Sequence, residues 1–139
     1  MVKEYGALLA TGHISPRESE IHCEEGRRNG VPKILTHPEW ERTVVPAEMQ
    51  AKLAQTGVYI EKCWYNIAEG NCTAKEMTEH IRAVGTEHCF LSTDRGQAGK
   101  ETPAEGMARF IQTLLNEGFS EKEIHRMAHE VPSKMLGMG

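Results

Sequence analysis

The stretch that decides the fold is "KILTHPEWERTVVPAE", residues 33 to 48. A short apolar run that starts at Ile34 has the length of a strand and stops at His37. After a polar loop, Pro46 and Glu48 mark a helix start, although no capping oxygen precedes the proline. Because Pro38 disfavours helical backbone at the residue before it, we expect His37 to be extended. The stretch therefore indicates a strand, a loop and a helix in direct succession.

The same strand, loop and helix unit occurs four times. Strand-length apolar runs cover Ala7 to Ala10, Ile34 to Leu35, Val58 to Cys63 and Cys89 to Leu91. Capping boxes, in which a serine or threonine precedes a glutamate by three residues, start at Ser15, Thr73, Thr102 and Ser120. Glycines that suit helix ends are Gly30, Gly57, Gly85 and Gly118. This alternation predicts an α/β fold with a parallel sheet, with residues 1–139 forming a single domain.

The apolar stripes of the helices differ in width. The fourth helix has a broad stripe that includes Phe110 and Leu114, the third a thinner one around Ile81, and the first has little beyond Ile21. Such helices are too thin to cover both faces of a four-stranded parallel sheet. We therefore expect a (βα)4 half of a TIM-type (β/α)8 barrel, with an extra C-terminal helix, that is completed by another half.

Composition excludes several classes of protein. With 39% apolar and 26% charged residues among 139, the chain has the profile of an ordinary globular protein. A net charge of −4 without a basic stripe argues against nucleic acid, and no apolar run approaches the roughly 20 residues that cross a membrane. Four widely spaced cysteines contain no C-x-x-C, which argues against a zinc ribbon or a disulfide framework. We expect a cytoplasmic protein.

Polar residues stand where the strands end. The first strand leads to His13, the second to His37 and the fourth to Asp94. Because the carboxyl ends of parallel strands meet around one hollow, two imidazoles and a carboxylate converge there, and this mixture suits a divalent cation such as zinc. Each residue also has a simpler interpretation, as a hydrogen-bonded turn residue. Glu61 and Lys62 alternate in facing, and the sequence does not decide which one points to the site.

Two further groups of residues bear on the site. His125 and His129 form an H-x-x-x-H pair, but their helix has a buried face at Ile124, Met127, Ala128 and Val131, so we interpret them as solvated flank residues. Trp40, Trp64 and Tyr65 are expected in loops just past strand ends, where they wall a pocket or cover the sheet.

The motifs "ATGHIS", "LTHPEW" and "LSTDRGQ", with the closing "HEVPSKMLGMG", resemble the C-terminal half of the amidohydrolase superfamily. This resemblance covers nearly the whole chain. It implies that His13, His37 and Asp94 are metal ligands, with Zn as the metal and Mn or Fe as alternatives. It also implies hydrolysis of a C–N, C–O or P–O bond in a small-molecule substrate by metal-activated water, with Asp94 as ligand, proton acceptor or both. Arg95, Gln97 and Glu61 are candidate substrate-binding residues.

The chain lacks two features of the family, one of which is the lysine or glutamate that members commonly carry on their fourth strand. Members carry an H-x-H pair on their first strand, whereas this sequence contains no H-x-H and corresponds to strands from about the fifth onward. We therefore expect the other half of the site from an N-terminal half-barrel, in the same polypeptide or a partner, or from a second copy in a homo-oligomer. The alternatives are a non-catalytic half-barrel module for assembly or binding, and a different barrel enzyme such as a phosphoesterase.

Overall fold

A computed structural model describes residues 2–138 and contains a four-stranded, fully parallel sheet. The strands are β1 (Leu9–Ala10), β2 (Lys33–Leu35), β3 (Tyr59–Cys63) and β4 (Cys89–Ser92), and they lie in the order β1-β2-β3-β4. The predicted α/β fold with a parallel sheet is confirmed. Since each strand pairs with the next one along the chain and crossovers of this kind are right-handed, the connecting helices pack on one face.

Most of the helices begin where the sequence predicts. Their bounds are α1 (Pro16–Arg28), α2 (Ala47–Gln55), α3 (Trp64–Ala68), α4 (Ala74–Val84), α5 (Pro103–Asn116), α6 (Glu121–His125) and α7 (Val131–Met135), with a π-helical segment (Arg126–Glu130) between the last two. All four predicted capping boxes are present, with hydroxyl and carboxylate each accepting a backbone N–H. The four predicted helix-ending glycines have positive φ. The short helix α3 was not expected, because Trp64 and Tyr65 were predicted to lie in a loop.

The two faces of the sheet differ in burial. We call the face under the helices the covered face; it holds Leu35, Ile60, Lys62, Cys89 and Leu91, which are all buried. The opposite side, called the open face, holds Ile34, Tyr59, Glu61, Phe90 and Ser92, which are only partly buried. The main core lies between the covered face and the helices and includes Leu53, Met77, Ile81, Phe110 and Leu114. The helices thus cover one face of the sheet, as their thin apolar stripes suggested.

Helix α1 packs through small residues. Its buried positions are Ser19, Cys23 and Gly26, whereas Ile21 is 50% exposed, so the expectation that Ile21 faces the core is wrong. The side chain of Lys33 runs directly across Gly26, where an added Cβ would lie 1.7 Å from Lys33 Cε. This close approach explains why the first helix has no broad apolar stripe in its sequence.

The C-terminal helices pack through Ile124, Met127 and Val131, as predicted, but Ala128 is exposed. The π-helical segment that contains Ala128 changes the angular spacing of its side chains, so the period used for the prediction does not hold there. The side chains of His125 and His129 lie on the exposed side, with ring centroids 5.0 Å apart. No helix within residues 2–138 is long and apolar enough to span a bilayer.

Candidate functional site

A small cavity lies where the strands end. Its lining consists of His13, His37, Trp40, Tyr65, Asp94 and Gln97, and its volume is about 180 Å³. The structure thus brings His13, His37 and Asp94 to the border of the same cavity, from loops that follow β1, β2 and β4. Since small-molecule sites typically measure about 300–1,000 Å³, this space holds only a small chemical group.

The two imidazoles are in direct contact. His13 Nε2 and His37 Nε2 are 3.0 Å apart, and the ring centroids are 4.9 Å apart. The ring of Trp40 packs against both, with centroid distances of 4.7 Å to His13 and 5.7 Å to His37. His13 is exposed, whereas His37 is 9% exposed. The two imidazoles therefore place their Nε2 atoms close together at the edge of the cavity, and the Trp40 indole packs against both rings.

The backbone at His37 is unusual. Its φ is +21°, so the expectation of an extended conformation before Pro38 is wrong. Positive φ is uncommon for a residue with a side chain, and such conformations persist only where the surroundings hold them. Here the His37 N–H donates to Glu61 Oε2 at 2.9 Å, and the His37 carbonyl accepts from Trp40 N at 3.1 Å. Tertiary contacts thus override the local preference imposed by the proline.

The structure decides between Glu61 and Lys62. Glu61 points to the open face and engages the His37 backbone, whereas Lys62 points to the covered face and is 0% exposed. Lys62 Nζ donates to Glu39 Oε1 and to Gln50 Oε1, both at 2.6 Å. Glu39 Oε1 also lies 3.0 Å from His80 Nδ1. Glu39, two residues after His37, thus binds Lys62 of β3, and the neighbouring Glu61 of the same strand binds the His37 backbone.

Burial and charge act in opposite directions on Glu39. Burial alone raises the pKa of its carboxyl, but the charges of Lys62 and His80 and their hydrogen bonds outweigh this, so the pKa is lowered from 4.5. Glu39 is therefore ionised at neutral pH. Its second oxygen, Oε2, is buried and has no hydrogen-bond partner within residues 2–138. Glu39 and Lys62 therefore form a buried ion pair in which, within residues 2–138, only Oε1 of the carboxylate has hydrogen-bond partners.

Asp94 lies in a tight turn after β4. Its φ is +47°, its side chain is exposed, and its carbonyl accepts from Gln97 Nε2 at 2.9 Å. Asparagine and aspartate tolerate this left-handed region better than other side chains, which agrees with the turn interpretation of the sequence. The carboxylate nevertheless borders the cavity that contains the two imidazoles. Gln97 is close to this turn and also lines the cavity.

Arg95 is held by carboxylates beside the cavity. Its side chain is 2% exposed; Nε donates to Glu101 at 3.0 Å and Nη1 donates to Glu69 at 2.8 Å. Trp64 Nε1 also donates to Glu101, at 2.6 Å, which lowers the pKa of that carboxyl to about 2. The guanidinium is thus engaged in fixing the loop after Asp94, and it is not part of the cavity lining.

The residues fit a divalent cation in part. Zn–N bonds of about 2.0–2.1 Å in tetrahedral geometry place two ligand nitrogens about 3.3 Å apart, close to the 3.0 Å between His13 Nε2 and His37 Nε2. His37 Nδ1 is buried without a partner in the described residues, whereas a zinc-bound histidine usually donates from its second nitrogen. Within residues 2–138, no three His, Cys, Asp or Glu side chains form a ready metal-binding group. The chain supplies two converging nitrogens and a nearby carboxylate.

The cysteines do not offer a nucleophile. Burial raises the pKa of the Cys63 thiol, which lies at the end of β3, to about 11, and that of Cys89 to about 12. A thiol with such a pKa is protonated at neutral pH and reacts slowly. The ionisable side chains that line the cavity are instead two imidazoles, a carboxylate and the phenol of Tyr65.

Sequence reasoning missed the roles of Glu39, Gln50 and His80. Lys62 was the residue that could have indicated these roles, because a lysine that faces the helices from a central strand needs a buried anion as its partner. Its partner lies 23 positions away, and nothing local in the sequence identifies it.

Comparison with known proteins adds one finding. Residues 1–61 are similar to a family of unknown function, DUF6282. The similarity covers β1 and β2 with His13 and His37 and stops at Glu61, so that Asp94 lies outside it. No curated protein matches the chain.

Proposed function

We propose that the chain forms the half of an amidohydrolase-like, metal-dependent hydrolase site that holds a divalent cation, zinc in the first place, between His13 and His37. The observation that carries this proposal is the 3.0 Å separation of their Nε2 atoms at the border of a cavity that Asp94 also lines. Two imidazoles and a carboxylate at the ends of parallel strands are a donor set that suits zinc. When bound, the metal supplies Lewis acidity and lowers the pKa of water.

Each residue of the chain has its own task in this proposal. His13 and His37 bind the cation, and Trp40 keeps both rings in place. Asp94 ligates the cation or accepts the proton of the attacking water, since its exposed carboxylate borders the cavity. The Gln97 amide and the Tyr65 ring border the same cavity and contact the reacting group of a small-molecule substrate. Glu61 binds the His37 backbone rather than the substrate.

The rest of the site comes from a second half. All connecting helices pack on the covered face, and the open face keeps partly exposed side chains such as Ile34, Tyr59 and Phe90. A (βα)4 half of a (β/α)8 barrel has this arrangement, with the open face turned toward the barrel interior. We propose that four further βα units, from an N-terminal half-barrel or a second copy of the chain, supply the missing ligands and enlarge the small cavity.

Metal binding tests the proposal directly. We expect the chain to bind Zn²⁺ or Co²⁺ with one ion per site, measured by competition with a chromophoric chelator and by the visible spectrum of Co²⁺. His13→Ala and His37→Ala should each weaken binding by more than the ~10–100-fold that loss of an outer-shell partner costs. His88→Ala, which removes a histidine outside the cavity lining, is the matched control. Equal binding by the wild type and a variant lacking both His13 and His37 would contradict the proposal.

Asp94→Asn tests the catalytic part. In the assembled enzyme we expect this change to abolish turnover of ester, amide or phosphoester substrates while the fold is retained, because asparagine also tolerates the positive φ at this position. Far-UV circular dichroism and a panel of such substrates measure both outcomes. Unchanged turnover would contradict the role of Asp94.

A second candidate function is a non-catalytic half-barrel module. The specific observation in its favour is that 3.0 Å is also an ordinary hydrogen-bond distance, so one neutral imidazole donates Nε2–H to the other. In that case the two imidazoles and the Trp40 ring only cover the end of the sheet. Purified protein without stoichiometric zinc, manganese or iron in its native oligomeric state would favour this module.

A further inference from the structure

Two consecutive residues of β3 hold the loop that carries His37 from opposite faces of the sheet. On the open face, Glu61 Oε2 accepts the His37 N–H at 2.9 Å. On the covered face, Lys62 Nζ donates to Glu39 Oε1 at 2.6 Å. Because neighbouring side chains of a strand point to opposite faces, one dipeptide reaches the segment from His37 to Glu39 on both sides.

We infer that Lys62 is a positioning residue for His37 and acts on it through Glu39. The inference rests on the proposed function, in which His37 binds the cation. Lys62 does not line the cavity, and both of its observed acceptors lie under the helices on the covered face. Its role is to fix the backbone from which the imidazole projects.

The anchor is rigid because its members are buried and connected. Lys62 is 0% exposed and Glu39 is 2% exposed. Gln50 accepts from Lys62 through Oε1 and donates through Nε2 to the Val45 carbonyl at 2.8 Å. The Val45 N–H in turn donates to the Pro38 carbonyl at 2.9 Å. A change at Lys62 is therefore transmitted to both ends of the loop after His37.

The strained backbone of His37 makes the anchor necessary. With φ at +21°, His37 is in a conformation that residues with side chains rarely adopt. Such a conformation persists only where the surroundings determine it, and here the contacts of Glu61 and Glu39 lie on either side of it. If the Glu39 contact is lost, the backbone relaxes toward negative φ. The His37 ring then turns away from His13, whose Nε2 lies 3.0 Å from His37 Nε2 in the structure.

The experiment compares a neutral pair with the buried ion pair. Lys62→Met combined with Glu39→Gln leaves neither charge of this pair buried, and Lys52→Met is the matched control because Lys52 is exposed on α2. We expect the double variant to lose the nuclear Overhauser contacts among the rings of His13, His37 and Trp40. The contact between Trp64 and Phe110, whose centroids are 5.9 Å apart in the core, should persist and reports that the fold is intact. Lys52→Met should keep all of these contacts.

Metal affinity provides the second readout. We expect Zn²⁺ affinity to fall by about 10–100-fold in the double variant, as for the loss of outer-shell partners of metal ligands, and to stay unchanged in Lys52→Met. Wild-type ring contacts and wild-type affinity in a folded double variant would overturn the inference. The ring contacts are measured without metal, so a wild type that binds no Zn²⁺ overturns the proposed function alone. If the double variant does not fold, Lys62→Leu combined with Glu39→Gln, which also leaves neither charge of the pair buried, replaces it, with the same expected loss and the same overturning result.

Discussion

The loop of residues 36–46 and the loop of residues 93–102 follow β2 and β4, and the second residue of each is a candidate site residue at positive φ. The first carries His37 at +21° and the second carries Asp94 at +47°. Both are fixed by ion pairs, but in different surroundings. In the first loop, Glu39 and Lys62 have side chains only 1% and 0% exposed. In the second, Arg95 is buried, but its carboxylate partners Glu69 and Glu101 are 27% and 16% exposed.

This difference determines how each loop responds to change. A buried pair is hardly screened by salt, and the loss of one partner leaves an uncompensated charge in a medium of low polarity. A pair near the surface is hydrated, and solvent replaces a lost partner at little cost. We therefore expect the His37 loop to depend strongly on single residues and the Asp94 loop to tolerate their loss.

Lys62→Met should have the largest effect. It leaves the Glu39 carboxylate buried without its ammonium partner, and breaking a buried ion pair in this way costs about 3–5 kcal/mol of unfolding free energy. Urea denaturation of the wild type and the variant measures the difference. Adding Glu39→Gln to Lys62→Met should recover most of the loss, since the uncompensated carboxylate charge is then removed. A loss no larger than that of the exposed control Lys52→Met would show that the pair contributes little.

Acid should weaken the His37 loop through the same pair. The pKa of Glu39 is lowered in the folded state from 4.5, so its contribution to stability is complete above about pH 4.5, its unfolded value, and is lost as pH falls through the folded pKa. Unfolding free energies measured between pH 7 and pH 3 should therefore fall more steeply for the wild type than for the variant with both Lys62→Met and Glu39→Gln. Parallel curves would contradict this assignment.

Arg95→Met should have a smaller effect that depends on salt. We expect a loss of about 1 kcal/mol at low ionic strength, in the upper range for pairs with hydrated partners. In 1 M NaCl, where the screening length is about 3 Å, the difference from the wild type should shrink. The difference for Lys62→Met should stay nearly constant over the same range. Equal salt dependence of the two variants would remove the distinction between the loops.

Local signals in the sequence predicted the sheet and most helices. The four capping boxes and the apolar runs each depend on only a few neighbouring residues, so the order of strands and helices could be predicted from the sequence. The helix at Trp64–Ala68 was missed because it has no capping side chain. Ile21 was misjudged because helix α1 packs through Gly26 and the stem of Lys33, which no apolar stripe reveals.

For the candidate site, the sequence predicted which residues lie close together, but it did not predict their backbone conformation or their long-range contacts. Positions at strand ends sufficed to bring His13, His37 and Asp94 to one cavity. The positive φ of His37 was not predictable, because Pro38 favours an extended conformation and the opposing contacts come from Glu61, 24 positions away. The engagement of Arg95 by Glu69 likewise joins residues 26 positions apart. Such pairings follow from the fold and have no local signature.

Asp94→Gly should produce the smallest change in stability and the sharpest contrast with His37. Glycine adopts a φ of +47° without a steric penalty, and the Asp94 side chain is exposed, so we expect a gain of up to about 1 kcal/mol in unfolding free energy. His37→Gly relieves a similar strain but removes a buried ring that contacts His13 and Trp40, so it should destabilise the chain. Urea denaturation measures both. A gain at Asp94 together with lost turnover by the proposed assembled enzyme would mean that the carboxylate is kept for chemistry at the expense of stability, whereas a loss of stability would mean that Asp94 serves the turn.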